Sequence, residues 1–235
     1  MKKPTGYIIY EGSAVYDGMP IVMIATRETA NNKTGDMWQT WIMRSDIEPH
    51  TAVKSGDDFS VCGNCPLRPI HYKKFKVKKP CYVVVWQAPL SVYRKYKRGG
   101  YEYITLAEFR KMLQSGAIRQ GSYGDPSTIP YEVWEAIGIG SGEFNHTGYT
   151  HGYLLPNFDT RNLNINMVSL DPVTEQIPEY LVGRSFRAIE SVDQVRAGEI
   201  LCPASKEQNY KTQCAKCGLC KGKSIKAKNI AIVMH

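Results

Sequence analysis

The residues Ala117-Ile118-Arg119-Gln120-Gly121-Ser122-Tyr123-Gly124-Asp125-Pro126 form a strand-like run that passes into a glycine-rich turn. A helix is predicted next, over residues 131–137, because Pro130 suits the first turn of a helix. A strand, a turn and a helix in this order make up the unit from which parallel sheets are built. This stretch therefore predicts an α/β protein.

Further strand-like segments recur along the second half of the chain, at 146–151, 164–171, 185–189, 199–205 and 229–235. Helical spacing occurs earlier, at 48–55, 89–97 and 105–115, and Thr105 with Glu108 can form a capping box. The connections between the later strands are too short for full helices. We therefore expect a partial or degenerate TIM-like barrel rather than a regular one.

The N-terminal segment alternates short β-rich runs, at 7–10, 21–24 and 38–43, with turn residues. Asp17-Gly18 and the polar stretch 31–36 suit tight hairpin turns, so this pattern predicts an antiparallel β segment. We expect residues 1–60 to form this β-rich segment, packed on a barrel-like domain of residues 61–235. The two parts are expected to make one structural unit.

The bulk composition favours a globular protein with reduced thiols. The chain has 235 residues, 43% of them apolar, which suffices for a full core. No apolar leader follows Met1-Lys2-Lys3-Pro4, and no run approaches the ~18 apolar residues of a membrane span. We therefore expect a cytoplasmic protein without membrane association, in which seven cysteines, an odd number, indicate metal ligands or catalysis rather than disulfides.

The C-terminal cysteines have the spacing of a metal site. Cys214, Cys217 and Cys220 form a C-x2-C-x2-C motif, and Cys202 lies upstream, followed by Pro203. Three closely spaced cysteines with a remote fourth before proline are typical of ferredoxin-type clusters. Zinc more often uses two separated C-x2-C pairs. The spacing favours a 4Fe-4S cluster, with zinc as the alternative.

Cys62, Cys65 and Cys81 form a second group, C-x2-C-x15-C, which has no fourth cysteine. One interpretation is a further iron–sulfur cluster, with an open iron that can bind a substrate or cofactor. Another is a zinc site completed by His71 or His50. A third is a single site that takes ligands from both groups.

Polar residues at predicted strand ends are candidates for ligand contacts, because active sites of parallel barrels gather at the carboxyl ends of strands. The candidates for binding a cofactor or a small-molecule or nucleotide ligand are Arg119, Ser122, Asp125 and Thr150. His151 and Asp125 are the candidate catalytic residues, since histidine titrates near neutral pH. Comparable positions are occupied by Asp171, Ser205 and His235.

The formal net charge of +8 raises the possibility of a nucleic-acid partner. Basic runs occur at 73–79, 94–98 and 221–228, with Tyr72, Phe75 and Tyr96 among or beside them. Filled four-thiolate sites carry roughly two negative charges each. Part of the basic character can therefore compensate metal centres instead.

Several motifs together resemble a family of uncharacterised phage and prophage proteins. They are Cys62-Gly63-Asn64-Cys65-Pro66, Cys81-Tyr82-Val83, residues 121–126, Gly148-Tyr149-Thr150-His151, Cys202-Pro203-Ala204-Ser205 and the terminal C-x2-C-x2-C. The match runs from about Gly6 to the C-terminus. The resemblance implies a phage origin, and thus the host cytoplasm, and no defined activity.

More loosely, the order of parts is similar to that of radical S-adenosylmethionine enzymes. In those enzymes a three-cysteine loop follows the first barrel strand, although here C-x2-C-x15-C stands in place of their C-x3-C-x2-C. This resemblance implies S-adenosylmethionine as a cofactor and the terminal four cysteines as an auxiliary cluster. Two hypotheses result: an iron–sulfur enzyme acting on a small molecule or nucleotide, and a zinc- or cluster-stabilised nucleic-acid-binding protein without catalysis.

Overall fold

The computed structural model describes residues 5–27, 33–74, 81–114, 116–170 and 182–234. These residues form a mixed α/β protein with two sheets. The prediction of an α/β protein is therefore confirmed, and no closed barrel is present among the described strands.

The first sheet has six strands in the order β4-β1-β2-β3-β5-β6. They are β1 (Gly6–Ser13), β2 (Pro20–Thr26), β3 (Met37–Arg44), β4 (Glu102–Tyr103), β5 (Ala117–Tyr123) and β6 (Asn145–Thr147). β2 pairs antiparallel with both β1 and β3, which confirms the predicted antiparallel N-terminal segment. β3 pairs parallel with β5, so the N-terminal segment forms part of the same sheet as the later strands.

The second sheet has five strands in the order β10-β11-β9-β8-β7, and every neighbouring pair is parallel. They are β7 (Tyr149–Thr150), β8 (Met167–Leu170), β9 (Ser185–Ile189), β10 (Glu199–Leu201) and β11 (Asn229–Val233). The segments 185–189, 199–205 and 229–235 were each predicted as strands, and each contains one. The structure ends β10 at Leu201, so that Cys202 begins the loop after it.

A single residue, Gly148, separates β6 of the first sheet from β7 of the second. β6 pairs with β5, and β7 pairs with β8, so the chain changes sheets at this glycine. A Cβ atom on Gly148 would lie 1.9 Å from Oδ1 of Asn166 and 2.6 Å from Oε1 of Gln120. Only glycine fits here, because both amides are fully buried.

Six α-helices occur among the described residues: α1 (Pro49–Ser55), α2 (Phe59–Cys62), α3 (Ala88–Lys97), α4 (Leu106–Leu113), α5 (Tyr131–Ala136) and α6 (Cys214–Cys217). The predicted capping box of α4 is present, with the Thr105 hydroxyl accepting from the Glu108 amide and the Glu108 carboxylate accepting from the Thr105 amide. α1 ends at Gly56, whose φ of 88° is in the left-handed region. These signals are local, which is why the sequence located the helices well.

Parallel register places alternate residues of neighbouring strands on a common face. Trp38, Ile118 and His146 share one face of the first sheet. There α4 packs Phe109 against Trp38, with ring centroids 5.2 Å apart, and the indole of Trp134 from α5 is fully buried in the same core. Helices thus cover this face.

Within the described ranges, no helix is long and apolar enough to cross a membrane. Part of the predicted basic run at 73–79 lies outside these ranges, as do Asp171 and His235. Residues 82–87, which follow Cys81, contain no strand.

A candidate site between two cysteine groups

The first cysteine group, Cys62, Cys65 and Cys81, begins at the end of α2. The Cys65 amide donates to the Cys62 carbonyl (3.1 Å), so the two residues belong to one tight turn. A buried ion pair of Arg68 and Asp58 (2.5 Å) supports this turn, and Arg68 also donates to the Gly63 carbonyl (2.9 Å). Local chain geometry therefore fixes Cys62 and Cys65 relative to each other.

The thiols of the first group influence one another. Burial raises the pKa of Cys62 well above its usual value, and Asp58, Cys65 and Cys81 raise it further. Burial also raises the pKa of Cys81, while the amide of Val83 donates to its sulfur and acts to lower it. Burial and the neighbouring acidic groups thus disfavour thiolates here, and a nearby cation would favour them.

The second group, Cys202, Cys214, Cys217 and Cys220, packs over the parallel second sheet. Cys202 and Cys220 are buried against Met167 of β8 and Ile230 of β11. The Cys202 amide donates to the Ala231 carbonyl (2.8 Å), and Cys214 and Cys217 stand at the two ends of α6. Elements distant in sequence therefore bring the fourth cysteine to the other three.

Burial is the largest cause that raises the pKa of Cys220, to about 12, followed by a hydrogen bond to Tyr149, which acts to lower it, and the other three thiols, which raise it. The pKa of Cys202 is also raised by burial, and is lowered by Lys33 and by a hydrogen bond from the Ala204 amide. Amide and hydroxyl donors to sulfur are the contacts that stabilise ligating thiolates.

Arg184 holds the loop that carries the last cysteine. Its guanidinium donates to the carbonyls of Leu219 (2.7 Å), Gly222 (3.1 Å) and Ala227 (2.9 Å). Burial lowers the pKa of this arginine, whereas Cys220 acts to raise it. A buried cation therefore lies at the base of the loop, beside the second thiol group.

All seven cysteines are free thiols. Among the described residues, no set of three or more His, Cys, Asp or Glu side chains stands at metal-binding geometry. The donor chemistry of the second group is that of a thiolate site, because Cys202, Cys214 and Cys220 pack in one cluster and two of the sulfurs, Cys202 and Cys220, accept hydrogen bonds. The first group supplies three thiols, and His50 lies on α1 with its Nδ1 3.5 Å from a carboxylate oxygen of Glu48.

One face of the joined sheets carries Arg119 and Tyr123, which interact electrostatically with thiols of the second and first groups, and we call it the site face. Gln39, Arg119 and Thr147 are register partners on β3, β5 and β6 and share this face. Tyr149, two residues after Thr147, continues it into the second sheet. At the other end, Tyr123 of β5 has its pKa raised by burial and by Cys62, Asp58 and Cys81.

Arg119 and Tyr82 stand between the two groups. The Arg119 guanidinium donates to the Tyr82 hydroxyl and lies 5.4 Å from the centre of its ring. Burial raises the pKa of Tyr82, Arg119 acts to lower it, and thiols of both groups raise it: Cys81 and Cys65 of the first, Cys214 of the second. The Tyr82 hydroxyl therefore interacts electrostatically with both cysteine groups.

Arg119 also interacts electrostatically with the second cysteine group. Burial acts to lower the pKa of Arg119, but neighbouring phenols and thiols outweigh it and raise the pKa; these are Tyr82, Tyr149, Cys214 and Cys220. Arg119 was a candidate from the sequence. Tyr82, Tyr123, Thr147 and Tyr149 were not, although Tyr82 directly follows a cysteine, and Thr147 and Tyr149 alternate along one strand-like run.

Asp125, Thr150 and His151 meet as expected, but in a buried hydrogen-bond network. Asp125 Oδ1 accepts from the hydroxyls of Ser127 and Thr150 (2.8 Å each), and Oδ2 accepts from the His151 amide (2.7 Å). The Asp125 amide donates to the Val61 carbonyl (2.6 Å), one residue before Cys62. The turn therefore positions α2 and the first cysteine group.

Ser122 donates to the Gln39 side chain, so its hydroxyl is used within the sheet. Its buried position follows from a register irregularity of β5 against β3 at this point. Of the four predicted ligand-contacting residues, Arg119 is the one that the structure places between the cysteine groups.

No family model, curated protein or solved structure matches this chain.

Proposed function

We propose that this chain is an iron–sulfur protein in which both cysteine groups hold metal centres, with chemistry on a small molecule or nucleotide between them. The observation that carries the proposal is the packing of the second group, in which Cys202, Cys214 and Cys220 belong to one buried cluster and Cys217 ends the helical turn that Cys214 begins. A location in a reducing cytoplasm, that of a host cell if the chain is phage-encoded, belongs to the same proposal.

Iron is favoured over zinc by the compact C-x2-C-x2-C spacing with a remote Cys-Pro. The hydrogen bonds from the Ala204 amide to Cys202 and from Tyr149 to Cys220 support the same choice, since such donors tune the potential of a cluster. Zinc remains the alternative for either group, as the donors also suit a structural thiolate site.

The fold is proposed to be a partial barrel. β2 alone of the described strands runs against its neighbours, and Gly148 joins the two sheets through one continuous chain segment. α4 packs Phe109 against Trp38 on one face of the first sheet, and α5 buries Trp134 in the same core. The opposite face, which carries Arg119, would be the concave side of the proposed barrel.

A cluster held by three cysteines supplies an iron position open to a substrate or to a cofactor such as S-adenosylmethionine. In the proposed site, Arg119 balances the negative charge of the thiolates of the second group and orients Tyr82. Tyr149 donates its proton to the Cys220 sulfur, which fixes the hydroxyl. Catalysis at this iron requires that no protein side chain fills its fourth position.

Metal analysis of protein purified without oxygen tests this proposal. We expect iron and acid-labile sulfide with broad visible absorbance, and little zinc. Cys217→Ser should remove the signal of the second centre, and Cys65→Ser that of the first. Zinc without iron or sulfide in the wild-type protein would contradict the proposal and favour the stabilised binding protein.

A second candidate function, nucleic-acid binding, is favoured by the end of α3. Lys95 lies 4.6 Å from the ring centre of Tyr101, and Lys97 lies 5.7 Å from that of Tyr96, which gives a basic surface interleaved with aromatic rings. Glu11, which accepts from Tyr96 (2.7 Å), reduces the positive potential there.

Binding of single-stranded RNA at increasing salt tests this candidate. The affinity should fall steeply with salt if Lys95 and Lys97 contact phosphates, and a Lys95→Gln/Lys97→Gln variant should show a shallower slope. The exposed Lys111→Gln variant, which lies outside the three basic runs, serves as the matched control. Salt-independent or undetectable binding would count against this function.

A further inference from the structure

Three side chains of the site face carry buried polar atoms that have no hydrogen-bond partner among the described residues. They are the Tyr123 hydroxyl, Arg119 Nε and the Thr147 hydroxyl. Thr147 is 2% exposed and Tyr123 is 5% exposed. Buried polar groups in proteins are nearly always paired, so unpaired groups on one face indicate a partner that the chain itself does not supply.

The charge of this region requires an anion. Among the ion pairs of the described residues, none involves Arg119. Asp58, the acidic residue beside the first cysteine group, is already paired with Arg68. A buried guanidinium without a carboxylate is costly unless a negative partner is present.

The thiolates of the second group meet part of this requirement, since Cys214 and Cys220 both act on the pKa of Arg119. Lys33, a second cation, competes for the same thiolates, since it acts on Cys202 and Cys214. The unpaired Nε of Arg119, by contrast, has a hydroxyl of Thr147 as its neighbour across the strands. A guanidinium edge beside hydroxyl groups suits the oxygens of a phosphate or carboxylate.

Tyr82 supplies an apolar surface beside these groups. Its hydroxyl is held by Arg119, yet the residue is 66% exposed. A ring with one end held and an open face is able to stack on a planar group of a ligand.

We infer that the cleft between the two cysteine groups binds a small molecule that combines a phosphate or carboxylate with a planar ring. The oxyanion is held by Arg119 Nε and the hydroxyl of Thr147, with Tyr123 at the side of the first cysteine group, and the ring lies on Tyr82. The inference rests on the proposed function in taking this cleft as the place of reaction.

Three fluorescent probes that share one ring test the inference: naphthyl phosphate, naphthoate and naphthol. The protein is purified without oxygen, and its iron, zinc and sulfide are measured on the same sample. We expect at least one of the two anions to bind about tenfold or more tightly than the neutral naphthol, because a charge-assisted hydrogen bond contributes about that much. The preferred anion identifies the oxyanion as phosphate or carboxylate.

Variants separate the anion site from a structural effect. Arg119→Gln should reduce anion binding to the level of naphthol, Arg119→Lys should restore part of it, and Tyr82→Leu should weaken all three probes alike. Thr147→Val removes the hydroxyl and keeps the shape of the side chain. It should weaken the binding of the two anions only. Arg110→Gln removes an arginine from the exposed pair with Glu143 and should change nothing.

Equal affinity for naphthol and both anions, absence of binding by any probe, or unchanged anion binding in Arg119→Gln would overturn the inference. Iron and sulfide without anion binding would leave the proposed function standing and remove this inference alone. Anion binding to a protein that contains no metal would support this inference and contradict the proposed function.

Discussion

His146 lies on the helix-covered face of the first sheet beside Ile118, an environment that solvates a charge poorly. The residue is 2% exposed, and its Nε2 has no partner among the described residues. Burial lowers the pKa of His146 to about 4, and Lys221 lowers it in the same direction. The sequence marked His151 as the histidine of interest, because loop position and residue type carry no information about desolvation.

A pH-dependent loss of stability follows from His146. Its folded pKa is lower than the unfolded value of 6.5, so the unfolded state takes up a proton first as the pH falls. The neutral imidazole is therefore compatible with the fold above about pH 6.5, and the free energy of unfolding falls by about 1.4 kcal/mol per pH unit between pH 6.5 and 4.

Urea unfolding of the wild type and of His146→Leu at pH 7 and pH 5 measures this effect. The wild type should lose about 2 kcal/mol more than the variant between these pH values. The same loss in both proteins would show that other groups, and not His146, cause the acid sensitivity.

At the scale of elements, the sequence predicted one strand over 146–151, whereas the structure has β6 and β7 with Gly148 between them. The residue pattern is continuous through the junction, so nothing local marks the change of sheet. The change results from the partners, β5 on one side and β8 on the other, which are fixed only by packing.

Gly148→Ala tests how tightly this junction is packed. The added methyl group would overlap the fully buried amides of Asn166 and Gln120, and such overpacking typically costs about 1–3 kcal/mol. Gly116→Ala is the matched control, because its φ is not left-handed and its nearest neighbour is 3.9 Å away. Thermal unfolding should show a lower midpoint for Gly148→Ala alone, and equal midpoints for both variants would argue against a tight junction.

At the scale of the whole molecule, the two thiol groups have unequal structural importance. The main core joins β1–β3 and β5 to α3, α4 and α5, and includes fully buried Phe109 and Trp134. The second cysteine group, in contrast, belongs to a small separate cluster with Met167 and Ile230. The first sheet therefore has apolar packing that does not involve the second group.

If the cysteines hold the proposed metal centres, removal of metal should consequently loosen one region and leave the other folded. After chelation, amide hydrogen exchange should become faster over residues 202–228, while β2, β3 and β5 keep their protection. Cooperative loss of protection in both sheets would mean that the metal centres hold the whole fold together. Unchanged exchange everywhere would mean that the cysteines do not need metal to keep their loops in place.

Local signals in the sequence predicted four of the six described helices, the antiparallel start and most of the strands, because capping boxes, terminating glycines and β-rich runs act over a few residues; α2, α6 and β4 were missed. The division of the cysteines into a group of four and a group of three follows from their spacing and stays a prediction. Only the tertiary structure decided that Arg119 and Tyr82 lie between the two groups, and that Asp125 serves the buried network. Register and strand order set these positions, and both result from long-range packing that no local pattern records.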